Sequence, residues 1–169
     1  MLTLTYVNIN NKGKTMKRVL TMLVLALTGS LMLQANNPTD QKPAVTSKTI
    51  HLTKAEFKKR VLDYDKNKDW VYQGDKPAII DFYADWCAPC KKVAPALEEL
   101  AKEYAGQVYI YKINVDQERE LAGLFGIRNI PTYLIIPMKG KPELTSGASA
   151  SHVENKARFK KVIDDLLKK

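Results

Sequence analysis

The sequence predicts an α/β domain in which a mixed central β-sheet is flanked by helices, a single domain behind an N-terminal signal segment. Three observations lead there. The run AIIDFYA (78–84) is almost continuously apolar and of strand length, the pattern of a central strand covered on both faces. Around it, stretches of helical and strand periodicity alternate, which calls for a sheet between helical layers. Finally, a chain of 169 residues suits one domain of about 100 to 150 residues plus an extension.

From Met16 the chain reads MKRVLTMLVLALTGSLMLQANNPTD: two basic residues, an apolar run from Val19 to Leu33, then Gln34, Ala35 and a polar, proline-containing stretch. This is the three-part pattern of a secretory signal over residues 1–35, with Met16 an alternative start. Cleavage after Ala35 fits, although Leu33 stands where a small residue is preferred. The run is short for a membrane span, which needs about 20 residues. Cleavage would leave no stable membrane association, and an uncleaved anchor is the alternative. Residues 36–47 read as a linker and 48–169 as the domain.

Within the domain, KTIHLT (48–53) alternates like a short strand. Thr53 can cap the next helix, with Glu56 completing a capping box and Phe57, Val61 and Leu62 on the apolar face. The stretch from Asp63 to Lys76 is polar apart from Trp70, Val71 and Tyr72, and its Gly74-Asp75 reads as a turn before the central strand. After that strand, Val93, Leu97, Leu100 and Tyr104 recur at helical spacing from Pro89 to about Tyr104, with Pro95 inside and Gly106 beyond the end. QVYIYKINVD (107–116) is a strand and ERELAGLFG (118–126) a short helix. TYLIIP (132–137) and PELTSG (142–147) are strands joined through Lys139-Gly140. ASASHVENKA (148–157) reads as a loop or frayed helix start, and Val153 to Leu167 as a helix with Phe159, Val162, Ile163 and Leu166 inward.

Composition narrows the function classes. Of the formal charge of +9, residues 1–35 supply four basic groups and no acid, leaving 23 basic against 18 acidic residues in the remainder. The lysines scatter through amphipathic stretches such as KAEFKKRVLDYDKNK (54–68), the pattern of a solvated face, so no nucleic-acid partner is expected. The chain has two cysteines, Cys87 and Cys90, inside DWCAPCKKVAP. A bridge closing so small a loop stabilises little. A structural zinc site needs four ligands, and His51 and His152 do not stand at such spacing, so no metal is expected. What remains is a dithiol that opens and closes as its chemistry.

The pair lies where a buried strand meets a helix. A cysteine there faces the unpaired N–H groups of the first turn, whose partial positive charge stabilises a thiolate, so Cys87 is the expected nucleophile. Cys90 comes round to the same side, more deeply placed, as the resolving thiol. Pro89 suits a first helical turn. Trp86 can shield the pair and offer an apolar surface to a partner, or simply pack. Asp81, alone in a buried strand, is expected to hold its proton.

IIDFYADWCAPCKKVAPALEELAKEY resembles the active-site region of the thioredoxin family, and YKINVDQ (111–117) and FGIRNIPTYLII (125–136) resemble its next strand and its cis-proline stretch. The resemblance covers about 48–169. It implies the thioredoxin fold, a cis bond before Pro131, and a substrate surface of Trp86, Ala88, Pro89, Ile130, Pro131 and Gly147. It also implies that Asp81 accepts a proton from Cys90 and that Lys112 tunes Asp81; a simple Asp81–Lys112 pair is the alternative. No metal or organic cofactor is then needed beyond the redox-active disulfide.

The expected function is a monomeric periplasmic oxidoreductase that reduces disulfides of exported proteins, with electrons from a membrane thiol carrier. A disulfide oxidase or isomerase, or a binding module without turnover, are the alternatives. Ala88 stands where the family's commonest motif has glycine, and segments 63–76 and 148–157 look like insertions. Trp70 and Tyr72 in the first either cover the sheet edge or extend the partner surface.

Overall fold

The computed structural model describes residues 48–168. The signal segment and linker expected over 1–47 lie outside the described residues. Along the described chain the elements are β1 (Ile50–His51), α1 (Lys54–Arg60), β2 (Ala78–Tyr83), α2 (Ala88–Glu103), β3 (Tyr109–Asn114), α3 (Arg119–Leu124), β4 (Thr132–Ile136), β5 (Glu143–Ser146) and α4 (His152–Leu167).

β2 is central because both of its faces are apolar. The sheet order is β1-β3-β2-β4-β5, with β3 parallel to β1 and β2, β4 antiparallel to β2, and β5 antiparallel to β4. The mixed sheet matches the expectation. Side chains alternate along β2. Ala78, Ile80 and Phe82 join a core with Phe57 of α1 and Leu121 of α3. Ile79 joins the other core, with Val93, Leu97 and Leu100 of α2 and Phe159 and Ile163 of α4. By the same alternation Asp81 falls on the α2–α4 face.

Local signals place the helices. Thr53 caps α1, its side chain accepting from the Glu56 N–H while the Glu56 side chain accepts from the Thr53 N–H. β1 is shorter than the alternating stretch suggested, since Thr53 already turns the chain into α1. Leu52 still extends the pairing by donating its N–H to the Lys112 carbonyl at 2.9 Å. Pro95 is exposed within α2, and the helix continues past it to Glu103.

The 63–76 segment is packed. The Trp70 and Tyr72 rings stack at 6.4 Å, Trp70 meets Phe125 edge-on, and both rest against the α1–α3 core. The Tyr72 ring lies where a side chain on residue 74 would project, which only Gly74 allows. The 148–157 segment is a loop over 148–151, as expected, and from His152 an ordered helix start rather than a frayed one. Ser151 caps α4, and the Asn155 side chain accepts from the Ser149 N–H at 2.9 Å and donates to the Ser149 carbonyl at 3.0 Å. A helix start tied at both its cap and its fourth residue does not fray. Val162 is only partly buried, since the inward stripe runs through Asn155, Phe159, Ile163 and Leu166.

Leu97 is fully buried between the sheet and α4. Leu97→Ala should lower unfolding stability by about 3 kcal/mol, read as a lower urea midpoint at unchanged slope.

Candidate active site

β2 delivers the chain to a short loop, Ala84–Trp86, and α2 starts directly after it. Cys87 is the N-cap of α2, with extended backbone angles of φ −75° and ψ 102°. Its sulfur accepts the Cys90 N–H at 3.2 Å, its own N–H donates to the Ala84 carbonyl at 3.1 Å, and its carbonyl accepts the Lys91 N–H at 3.2 Å. The sulfur thus occupies the place of a capping oxygen, facing the positive end of a 16-residue helix. Cys87 and Cys90 are joined as a disulfide, with Cα atoms 5.3 Å apart.

The two cysteines are equally buried, each 3% exposed. The expected deeper placement of Cys90 is therefore not seen, because the closed bridge holds both sulfurs in one apolar nook with Ala84, against which Tyr83, Val115 and Ile130 pack. Ala88 and Pro89 are exposed at the start of α2. Trp86 is 69% exposed, so it does not simply pack. Its indole N–H donates to Asp116 Oδ2 at 2.8 Å, while Asn114 Nδ2 donates to Asp85 Oδ2 at 3.3 Å and Asn114 Oδ1 accepts the Asp116 N–H at 3.0 Å. Asp85, Asn114 and Asp116 thereby hitch the cysteine loop to the end of β3. Sequence reasoning missed them; the only signal was a run of polar residues closing an otherwise apolar strand.

Asp81 and Cys90 line the same cleft. Asp81 is 1% exposed, and its Oδ1 has no hydrogen-bond partner. Burial pushes its pKa up to about 7, against the opposing pull of Lys112. Lys112 stands opposite Asp81 in register but does not close to an ion pair, and its Nζ instead lies 4.6 Å from the centre of the Tyr83 ring. The simple Asp81–Lys112 pair is thus not formed. A cleft of about 340 Å³ brings Asp81, Tyr83, Asp85, Cys90 and Lys112 to one opening.

The third component comes from β4 and β5. The Ile130–Pro131 peptide bond is cis, Pro131 is buried, and Ile130 reaches the cysteine nook. Gly147, at φ 95°, donates its N–H to the Pro131 carbonyl at 3.1 Å. The site therefore joins a capped disulfide, a buried acid with an opening to solvent, and a proline loop in contact with both the nook and β5.

The sequence profile of the thioredoxin family matches residues 48–164. The chain belongs to the thioredoxin family. It is similar to the thioredoxin of Borreliella burgdorferi, 44% identical over 98 residues covering 58% of this chain and 84% of that one. It is also similar to the thioredoxin of Haemophilus influenzae, 42% identical over 90 residues covering 53% and 75%. Among solved structures, chloroplastic thioredoxin z superposes with a TM-score of 0.58 at 25% identity, covering 72% of this chain and 96% of that one. With its close cysteine pair, this thioredoxin-family protein is a thiol-disulfide oxidoreductase. Thioredoxins act on disulfide-containing proteins and need no cofactor beyond the disulfide itself. Among the described residues, no three His, Cys, Asp or Glu side chains cluster to hold a metal.

Asp81 sets a pH dependence of stability. Its folded pKa, about 7, lies above the ordinary 3.8, so the folded state binds the proton more tightly and stability falls as pH rises from about 4 to 7. Asp81→Asn removes that loss. At about pH 8 the variant should be more stable by on the order of 2 to 4 kcal/mol, the gain vanishing below about pH 4. Urea unfolding at both pH values checks this.

Proposed function

We propose that this protein is an exported reductant of protein disulfides. One observation carries the chemistry: Cys87 caps α2 through its sulfur, so in the reduced protein the Cys90 N–H and the helix dipole favour its thiolate. That thiolate attacks one sulfur of a substrate disulfide. A Cys87–substrate bond forms, and the other substrate sulfur leaves as a thiolate. Cys90 then gives its proton to Asp81 and attacks the Cys87 sulfur, breaking the mixed disulfide. The substrate departs with the two electrons as two thiolates, which take up protons from Asp81 and from water, and the Cys87–Cys90 bridge closes.

Asp81 suits the proton transfer because a buried carboxylate titrating at about 7 can both take and release a proton near neutrality. Lys112, opposite it, keeps the ionised form accessible. Trp86, Ala88 and Pro89 form one wall for the substrate and Ile130, Pro131 and Gly147 the other, with Ile130 offering its backbone to an extended segment.

The basic and apolar pattern of 16–35 supports export to the periplasm. There a reductant needs electrons from a membrane-embedded thiol carrier, since cytoplasmic reductases cannot reach it. The Ala88-Pro89 pair, and the described residues' having no helical domain inserted within the fold, support a reducing rather than an oxidising role.

The Cys87–Cys90 potential, measured against glutathione, should fall nearer −270 mV than −120 mV, values that bracket about the range from thioredoxin to a strong oxidant. A value at the upper end would make the protein an oxidase. Cys90→Ser should trap partners as mixed disulfides on Cys87. Trapping on Cys90 by Cys87→Ser would reverse the two roles. Mass spectrometry of the N-terminus of protein recovered from the cell envelope tests cleavage after Ala35.

A further inference from the structure

The turn after β5 carries Gly147, and from the sheet side the backbone bond between Gly147 and Pro131, one pair beyond Thr132–Ser146, is what reaches it. α4 holds it from the helical side. Arg158 donates from Nη1 to the Gly147 carbonyl at 2.9 Å, and from Nη2 to Thr145 Oγ1 at 2.9 Å and the Ser146 carbonyl at 3.2 Å. Its guanidinium is seated over the Phe159 and Tyr133 rings, 5.2 and 5.7 Å from their centres. One turn earlier on the same helix, Asn155, 1% exposed, makes its two bonds to Ser149. Residues 145–149 are therefore gripped by α4 from both ends. On its other side Gly147 meets Pro131 through the N–H bond to the proline carbonyl.

We propose that Arg158, supported by Asn155, is a positioning residue for protein substrates, holding Gly147 against Pro131 and so setting the groove in which an extended substrate segment lies. This rests on the reductase reading above. A planar guanidinium that reaches three oxygens from an aromatic seat is pre-organised, and few other side chains supply that fork. Gly147 sits at positive φ, where a glycine has other conformations open to it; its N–H bond to Pro131 holds one side of the peptide and the Arg158 fork holds the carbonyl side. Arg158 touches neither cysteine nor the Asp81 cleft. Its effect belongs to docking rather than to electron transfer. α4 is anchored independently by Phe159, Ile163 and Leu166, so folding does not require the clamp.

The test compares Arg158→Met and Arg158→Lys with the unaltered protein on two substrates. Insulin must lie in the groove; 5,5′-dithiobis(2-nitrobenzoate) is small enough to reach the sulfur without it. Arg158→Met should raise KM for insulin roughly five- to tenfold, the net scale of one ordinary hydrogen bond, with the redox potential unchanged and kcat and the small-disulfide rate within about twofold. Arg158→Lys should recover part of the KM. Amide exchange at Gly147 should accelerate by about tenfold in Arg158→Met while β3 amides hold their rates. Equal losses on both substrates, or an unchanged Gly147 exchange rate, would overturn the proposal. An unaltered protein that reduced neither substrate would instead refute the reductase reading, and the exchange rates would still decide whether Arg158 holds Gly147.

Discussion

The sulfur of Cys87 takes a role usually filled by an oxygen: it caps a helix. That single contact with the Cys90 N–H ties reactivity to folding, because the same first turn that must be satisfied for α2 to start also stabilises the charged form of the nucleophile. The contact exists only because β2 crosses the middle of the sheet and ends one short loop before α2. The loop in turn is held by Trp86, Asp85, Asn114 and Asp116 at the end of β3. A helix start fixed this firmly leaves the nucleophile little freedom to drift from its dipole.

Asp81 shows the cost of the arrangement. In a buried strand, a carboxylate with an unpartnered oxygen opposes folding at neutral pH. It lies in a row of polar groups paired across the sheet: His51 opposite Lys112, Lys112 opposite Asp81, Asp81 opposite Tyr133, and Tyr133 opposite Thr145. Since paired residues share a face, the register alone lines these groups up beneath α2 and α4. The row ends at Thr145, where Arg158 bonds the hydroxyl, so the acid and the substrate loop meet the same helical layer from opposite ends.

The segments that looked like insertions divide by their packing. Residues 63–76 bring Trp70 and Tyr72 onto the α1–α3 core and leave Val71 exposed at 49%, an extension of the interior rather than of the site. Residues 148–157 and the next residue, Arg158, contribute through bonds to backbone made by Asn155 and Arg158, and nothing in the sequence marks those two side chains. Their partners, Ser149 and the carbonyls of Ser146 and Gly147, lie across a turn that a helical pattern does not reveal.

The sequence by itself determined the order of elements, the central position of 78–84, the capping box at Thr53 and the cysteine pair at a strand-to-helix junction. Each of these is written in nearest-neighbour chemistry or in a period of apolar residues, which the chain carries without knowing its fold. Only the tertiary structure decided that Lys112 turns to Tyr83 instead of closing on Asp81, that both cysteines share one depth, and that α4 grips Gly147. Those outcomes depend on which distant side chains offer the better geometry once strands are in register, and no local pattern encodes that competition.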